Sequence, residues 1–399
     1  MNENDAIASL SIRPAPFTPF QGIGYSGTVA LWQAIPSGSF SYQMSVDWGD
    51  GTPPSTGGPF SYMTHPFDVT ATHTYATSGS ATVTVTVVDP ATGASAQTSY
   101  PIRIGILLSD YSDDVQAVAV DSTYVYWAAG APVKVAKTPI GGGTRTTLFT
   151  AQGGTVANGS LAVYGGDLYA SVSAGIVKCA VGGCNSQPTM LSVTFGTSTL
   201  AVDSQNVYWL DSGDKTDGLV YACALGGCGN SPSTFASGQA VPVSIVSDSK
   251  NVYWTNGGVG STHAGTVMTC PVSGCAQPTT LASGQSVPWW LAIDANSVYW
   301  ANTNVDGSIS KCPLSGCGAG PAVLESGVPT YLVNGLAIDS TYVYWGGEGV
   351  WRAPLGGGTP EALIDDYQGA TTVQAVDGAN VYYTQSTASG QAQLVQLAK

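Results

Sequence analysis

The chain offers few groups for acid–base or nucleophilic chemistry. Its 399 residues include three histidines, His65, His73 and His263, and no G-x-S-x-G, no H-E-x-x-H and no phosphate-cradling glycine motif that opens a helix. What it does hold is eight cysteines in four equal C-x4-C pairs: Cys179 and Cys184, Cys223 and Cys228, Cys270 and Cys275, Cys312 and Cys317. Such pairs can form disulfides, bind zinc or stay as free thiols. Zinc needs four ligands at one point, and histidine is too scarce here to complete a site. The intervening AVGG, ALGG, PVSG and PLSG turns can close a hairpin and bring two Cβ atoms within disulfide reach, so four disulfides are expected. Disulfides in this number imply an oxidising compartment and a protein that is extracellular or at the cell surface. The start, Met-Asn-Glu-Asn-Asp, is neither signal peptide nor anchor, so the sequence reads as a processed form.

The remaining chemistry lies in acidic, amide and aromatic residues of loops. Asp211, Asp214 and Asp217, within residues 210–218, could gather oxygens around Ca²⁺, although the EF-hand frame is missing. Asp211, Asp217, Asp306 and Glu348 could also approach one another as the paired carboxylates of a glycosidase. Other loops bring Trp289, Trp290, Tyr331, Tyr367 and Tyr111 into company with His263, Asn302 and Asp306. Rings flanked by carboxylates and amides suit a glycan or a protein surface, because a ring stacks while polar groups fix orientation. No catalytic residue or cofactor is assigned.

A repeat must position these loops. The phrase apolar-Ala-apolar-Asp-x-x-x-Val-Tyr-Trp ends at Trp127, Trp209, Trp300 and Trp345, with degenerate copies ending at Ala170, Trp254 and Tyr383. Its tyrosines, Tyr126, Tyr169, Tyr208, Tyr253, Tyr299, Tyr344 and Tyr382, are spaced 38 to 46 residues apart. That period predicts a seven-bladed β-propeller with four strands per blade. Five aspartates of the phrase, Asp121, Asp203, Asp294, Asp339 and Asp377, each precede a tight turn and read as turn ligands. The turns TPIGGG (138–143) and APLGGG (353–358) keep the hairpin without its cysteines. The last unit ends before a fourth strand, so residues 104–110 are expected to pair into the last blade and close the ring.

Composition agrees with an all-β chain. Only 9% of residues are charged, against roughly 25% in an average soluble protein, while glycine reaches 51. With 11 basic and 25 acidic residues and a net charge of −14, nucleic acid and anionic membranes are poor partners. No apolar run approaches the ~18 residues that a transmembrane segment needs.

Two resemblances follow. The Tyr-Trp pairs at 126–127, 208–209, 253–254, 299–300 and 344–345 make this region similar to YWTD-type propellers of receptor ectodomains and to bacterial secreted relatives. It departs from them in the two residues after Tyr-Trp and in having seven units where the receptor domains have six. Residues 1–103 lack the repeat. Through Asp47-Trp48-Gly49-Asp50-Gly51-Thr52 and His73-Thr74-Tyr75 they resemble a PKD domain, an immunoglobulin-like β-sandwich. The resemblance implies that this motif is structural and that the domain is a spacer or aids surface binding.

The domains expected are therefore 1–103, a PKD-like sandwich, and 104–399, a propeller. The sandwich is expected to join the disulfide face, which leaves the opposite face open. The function expected is non-enzymatic binding or adhesion through that open face, to a glycan or surface protein. A structural subunit that self-associates in an extracellular assembly, and a propeller hydrolase or lyase, are the alternatives.

Overall fold

The computed structural model describes residues 10–15, 17–34, 41–61, 67–91, 93–110, 113–151, 160–193, 199–214, 216–259, 264–303, 307–318, 320–326, 333–364, 370–386 and 390–399, and among them there is no helix. The chain divides into two compact units, chiefly Met1–Leu107 and, beyond it, Leu108–Leu363 with Gln368–Leu397.

In the first unit, alternation writes the sheets. Along Gly79–Val88, Ala81, Val83, Val85 and Val87 are buried while the threonines between them are not. This strand lies between Ser41–Asp47 and Ser95–Ile104, with Ser55–Ser61 at the edge. A second sheet orders Leu10–Pro14, Gly24–Ala34 and Phe67–Thr74. Val29, Ala30 and Val69 of one sheet share a core with Val46, Val83, Val85 and Ile102 of the other. Trp48 is fully buried there, stacked on His73 at 4.7 Å and donating from Nε1 to Ser55 Oγ at 2.8 Å. Asp50 accepts from Thr52 and pairs with His73 Nε2 at 2.7 Å. Gly49 has φ +73°, and a Cβ there would stand 2.4 Å from the Thr82 carbonyl. Each of these motif residues is consumed by local structure.

The second unit repeats a four-stranded antiparallel sheet. Sheet one is Val115–Val120, Tyr124–Ala129, Val133–Pro139 and Thr146–Ala151. The same order recurs from Leu161–Tyr164 to Thr189–Ser192, from Leu200–Val202 to Ser233–Gln239 and from Pro242–Ser247 to Thr279–Gln285. Sheets five and six run from Pro288–Ile293 to Ala322–Ser326 and from Asn334–Ile338 to Glu361–Ile364. Sheet seven holds Thr371–Val376, Asn380–Ser386 and Ala392–Ala398, and its fourth strand is Ile106–Leu107, from far earlier in the chain. Leu108 continues that pairing, its N–H donating to the Leu394 carbonyl at 2.9 Å. The first strands of successive sheets pack side by side, and that of sheet seven packs on that of sheet one. Repeated four-stranded sheets arranged in this way make a β-propeller-like unit.

In six of the seven sheets the repeat phrase folds the same way; in sheet two Tyr164 takes the place of the aspartate. Asp121 Oδ1 accepts the N–H groups of Thr123 and Tyr124, both at 2.7 Å, while Oδ2 accepts the Tyr126 hydroxyl at 2.8 Å. The same brace joins Asp203 to Tyr208, Asp294 to Tyr299, Asp339 to Tyr344 and Asp377 to Tyr382. Asp248 makes a sixth, with Tyr253, because the degenerate phrase ending at Trp254 keeps its aspartate in register. Burial alone would raise these carboxyls, but the donated hydrogen bonds outweigh it, and Asp121, Asp294, Asp339 and Asp377 are all held below the usual range. Burial, then the neighbouring carboxylate, pushes the Tyr299 hydroxyl up to about 12.

All four cysteine pairs are disulfides, with Cα atoms 5.0 to 5.4 Å apart. The second cysteine of each pair lies in the turn rather than on the fourth strand, which begins later, at Thr189, Ser233, Thr279 or Ala322. The bond therefore clasps the turn. Gly183 and Gly274 enter it at φ +119° and +143°, and Gly142 and Gly357 do the same at +87° and +84° in the two hairpins without cysteines.

Candidate binding face

At the ends of the sheets away from the disulfide hairpins, a turn of sequence Ser-Gly-Gln-x-Val-Pro occurs twice, at 237–242 and 283–288. Each leads from the fourth strand of one sheet into the first strand of the next. Gln239 Oε1 accepts Trp254 Nε1 at 2.8 Å and Asn256 Nδ2 at 3.1 Å. Gln285 Oε1 accepts Trp300 Nε1 at 3.0 Å and Asn302 Nδ2 at 3.3 Å. Asn256 and Asn302 also donate to Thr266 and Ser308, both at 3.1 Å. Two buried amide knots thus tie sheet three to sheet four and sheet four to sheet five. The Oδ1 atoms of Asn256 and Asn302 are buried without a hydrogen-bond partner among the described residues, a place that ordered water ordinarily fills.

The backbone of these turns is strained. Val241 and Val287 stand at φ +59° and +55°, left-handed values that a β-branched residue rarely takes and that cost of order 1–3 kcal/mol. The surroundings hold them there. The Val241 carbonyl accepts the Gly257 N–H at 2.8 Å, and the Val287 carbonyl accepts the Thr303 N–H at 3.1 Å. The prolines that follow press on glycine: a Cβ on Gly265 would lie 2.2 Å from Pro288 Cδ.

This framework presents the tryptophan pair. The ladder between Pro288–Ile293 and Ser297–Asn302 slips between Pro288 and Leu291, so Trp289 and Trp290 occupy a bulge. Trp290 is partly buried and donates from Nε1 to the Val333 carbonyl at 3.2 Å. The Trp289 carbonyl accepts the Thr255 hydroxyl at 3.3 Å, while the residue as a whole is 44% exposed. Val259, in the loop after the second strand of sheet four, is another exposed apolar side chain at this end.

The other expected site residues fall differently. Asn302 ends a strand and is only 7% exposed, with its amide nitrogen engaged in the knot. Asp211 accepts the Gly213 N–H at 3.1 Å, and Asp217 accepts the Asp214 N–H at 2.6 Å, so this loop binds its own backbone. Among the described residues no three of His, Cys, Asp and Glu gather in a way that could hold a metal ion, and Asp211, Asp214 and Asp217 form no such group. Tyr111, His263, Asp306, Tyr331 and Tyr367 lie outside the described residues. Sequence reasoning missed Gln239, Gln285 and the strained valines; the recurrence of Ser-Gly-Gln-x-Val-Pro was their signal.

No protein-family model matches the chain, and no curated protein matches it in sequence. Solved structures do. A puromycin-hydrolysing peptidase of Mycobacterium tuberculosis is similar over 71% of this chain and 51% of its own, at 14% identity and a TM-score of 0.52. The extracellular domain of a one-component system protein of B. thetaiotaomicron is similar over 74% of this chain and 39% of its own, at 12% identity and a TM-score of 0.52. A nidogen/laminin complex structure is similar over 72% of this chain and 92% of its own, at 13% identity and a TM-score of 0.44. This chain thus spans only about half of the peptidase and less of the one-component system protein. The two likenesses with a TM-score of 0.52 speak to the fold, a β-propeller-like array. Among the described residues no helix is long and apolar enough to cross a membrane.

Proposed function

We propose that the chain is an extracellular, non-enzymatic binding protein: a PKD-like, immunoglobulin-type sandwich followed by a seven-bladed propeller closed by the 104–110 segment. It recognises a glycan or a surface protein through the propeller face that carries Trp289. The observation that carries this reading is the placement of Trp289. A large apolar residue, 44% exposed, stands on a bulge that follows a strained but over-determined turn, beside a second tryptophan that is anchored. Exposing such a ring costs hydration free energy, and a rigid aromatic platform loses little entropy when a sugar ring or an apolar side chain stacks on it. Four disulfides support an oxidising, extracellular setting. The repeat aspartates are committed to their turns, where each accepts backbone N–H groups and a tyrosine hydroxyl. The test is a glycan and cell-surface binding screen with the native chain and with Trp289→Ala, with and without EDTA. Saturable binding that the substitution abolishes supports the reading; binding that Trp289→Ala leaves intact overturns it.

A further inference from the structure

On the disulfide-hairpin side, one position on the third strand ties three of the sheets to the next, namely the residue paired with the central tyrosine of the second strand; in sheet six this position is Arg352, which pairs with Glu361 of its own sheet. The three are Lys137 opposite Tyr126, Lys178 opposite Tyr169 and Lys311 opposite Tyr299. Each ammonium crosses to the following sheet and donates to a carbonyl of its hairpin turn: Lys137 to Val181 at 2.6 Å, Lys178 to Leu225 at 3.0 Å, and Lys311 to Leu355. Lys137 also stands over the Tyr124 ring at 4.3 Å and favours the charged form of Asp121 in its own sheet. Sheets six and seven are joined by Lys399, which donates to the Asp339 carboxylate and the Asp377 carbonyl. Sheet seven meets sheet one where Gln396 Oε1 accepts the Gly141 N–H at 2.8 Å.

Sheet four has no such cation. Thr269 stands opposite Tyr253, and its hydroxyl turns back to donate to the Val252 carbonyl of its own sheet at 3.1 Å. An open depression of about 750 Å³ lies at this junction, with Asp248, Asn251 and Tyr253 on one wall and Asp294 and Leu314 on the other. Leu314 is the counterpart of Val181, Leu225 and Leu355, and Asp248 is the counterpart of Asp121. Carboxylate, acceptor carbonyl and tyrosine wall are all kept; the lysine is not. At the preceding junction, Ala222 takes the lysine position, and there the Phe235 ring packs edge-on to Tyr208 at 5.2 Å.

We propose that the depression between sheets four and five binds a primary alkylammonium group, supplied by a lysine side chain of a partner protein or by a small amine, in the place that Lys137, Lys178 and Lys311 fill at their own junctions. Asp248 supplies the opposing charge, and the Leu314 carbonyl takes one N–H. A slender methylene stem fits where a lysine stem runs in the other sheets, whereas a planar guanidinium is broader and a quaternary ammonium has no N–H to donate. Lys250 lines the rim; its backbone is fixed by Asp248 and Val272, and its exposed ammonium competes with the ligand. The site does not involve Trp289 and stands apart from the proposed binding face.

The test titrates the full chain with three probes, Nα-acetyl-lysine methylamide, cadaverine and the trimethylated lysine analogue, and reads amide NMR shifts at Asn251, Leu314 and Ser315. Saturable shifts with the first two probes and none with the trimethylated one are expected. Relative strength between the first two tells a peptide source from a small amine. Thr269→Lys supplies the missing ammonium internally and should abolish the shifts without lowering the thermal midpoint, while Thr269→Val should keep them. Asp248→Asn should weaken binding roughly tenfold, the value of one charge-assisted hydrogen bond, and Lys250→Gln should strengthen it. Absence of saturable shifts with both amines, or shifts that persist in folded Thr269→Lys, would overturn the proposal.

Discussion

Leu108 links sheet seven to sheet one, and its replacement by alanine tests that link. The side chain is fully buried. Its N–H donates to Leu394 of sheet seven, while its carbonyl accepts Thr138 Oγ1 at 3.1 Å and Arg145 Nε at 2.9 Å from sheet one. Thr138 Oγ1 in turn accepts Trp127 Nε1 at 3.1 Å, so the segment is coupled to the core of sheet one. Leu108→Ala leaves the backbone bonds in place and removes packing at a rigid site. Buried leucines of this kind lose about 3 kcal/mol on truncation, with a range of roughly 2–5 kcal/mol. Urea denaturation followed by tryptophan fluorescence, with Val323→Ala as an exposed control, measures the loss; Val323 is 57% exposed. Hydrogen exchange at the Leu394 amide, whose N–H is held by Ser109 Oγ at 2.9 Å, should accelerate in parallel. A destabilisation under about 1 kcal/mol with unchanged exchange at Leu394 would refute the reasoning, since such a small loss is typical of surface positions.

Two further outcomes follow from the same contacts. Reduction of the disulfides should lower the thermal midpoint without abolishing the fold, since each six-residue loop contributes about 2 kcal/mol in the chain-entropy model and sheets one and six hold the same turn without cysteines; calorimetry with and without reductant checks this. Acid should also destabilise the second unit through Asp339, whose carboxyl is partly buried but held down to about 2 by the Lys399 ammonium, two backbone N–H groups and the Tyr344 hydroxyl. Because the folded value lies below the unfolded one, this contribution is present above pH ~4 and is lost as the pH falls toward 2. It amounts to about 2 kcal/mol and should shrink in Lys399→Gln, as urea midpoints between pH 5 and pH 2 would report.

The period was legible in the sequence because its carriers are local. An aspartate five residues before a tyrosine makes its brace within one hairpin, so six of the seven copies repeat those letters. The disulfides were legible for the same reason. The outer strand expected from residues 104–110 is shorter than the count of strands suggests: Ile106–Leu107 form it, while Ile104 still ends the strand Ser95–Ile104. Features between sheets were not. Gln239 and Gln285 act on a tryptophan 15 residues further on, and Lys137, Lys178 and Lys311 reach carbonyls 44 to 47 residues away. Nothing local marks either partner. Trp289 and Trp290 looked alike as a loop pair, yet a slip in the ladder exposes one residue and anchors the other. Asn302 was read as a loop residue, but it ends a strand, where a buried glutamine claims its amide.

The most direct test of the central reading is the paired binding screen of the native chain and Trp289→Ala against glycans and cell surfaces. The account predicts saturable binding by the native chain and a loss of about tenfold or more in affinity on removing the ring, with the fold retained by circular dichroism. Equal binding by the two proteins, or no binding by the native chain while it assembles into concentration-dependent oligomers, would contradict it.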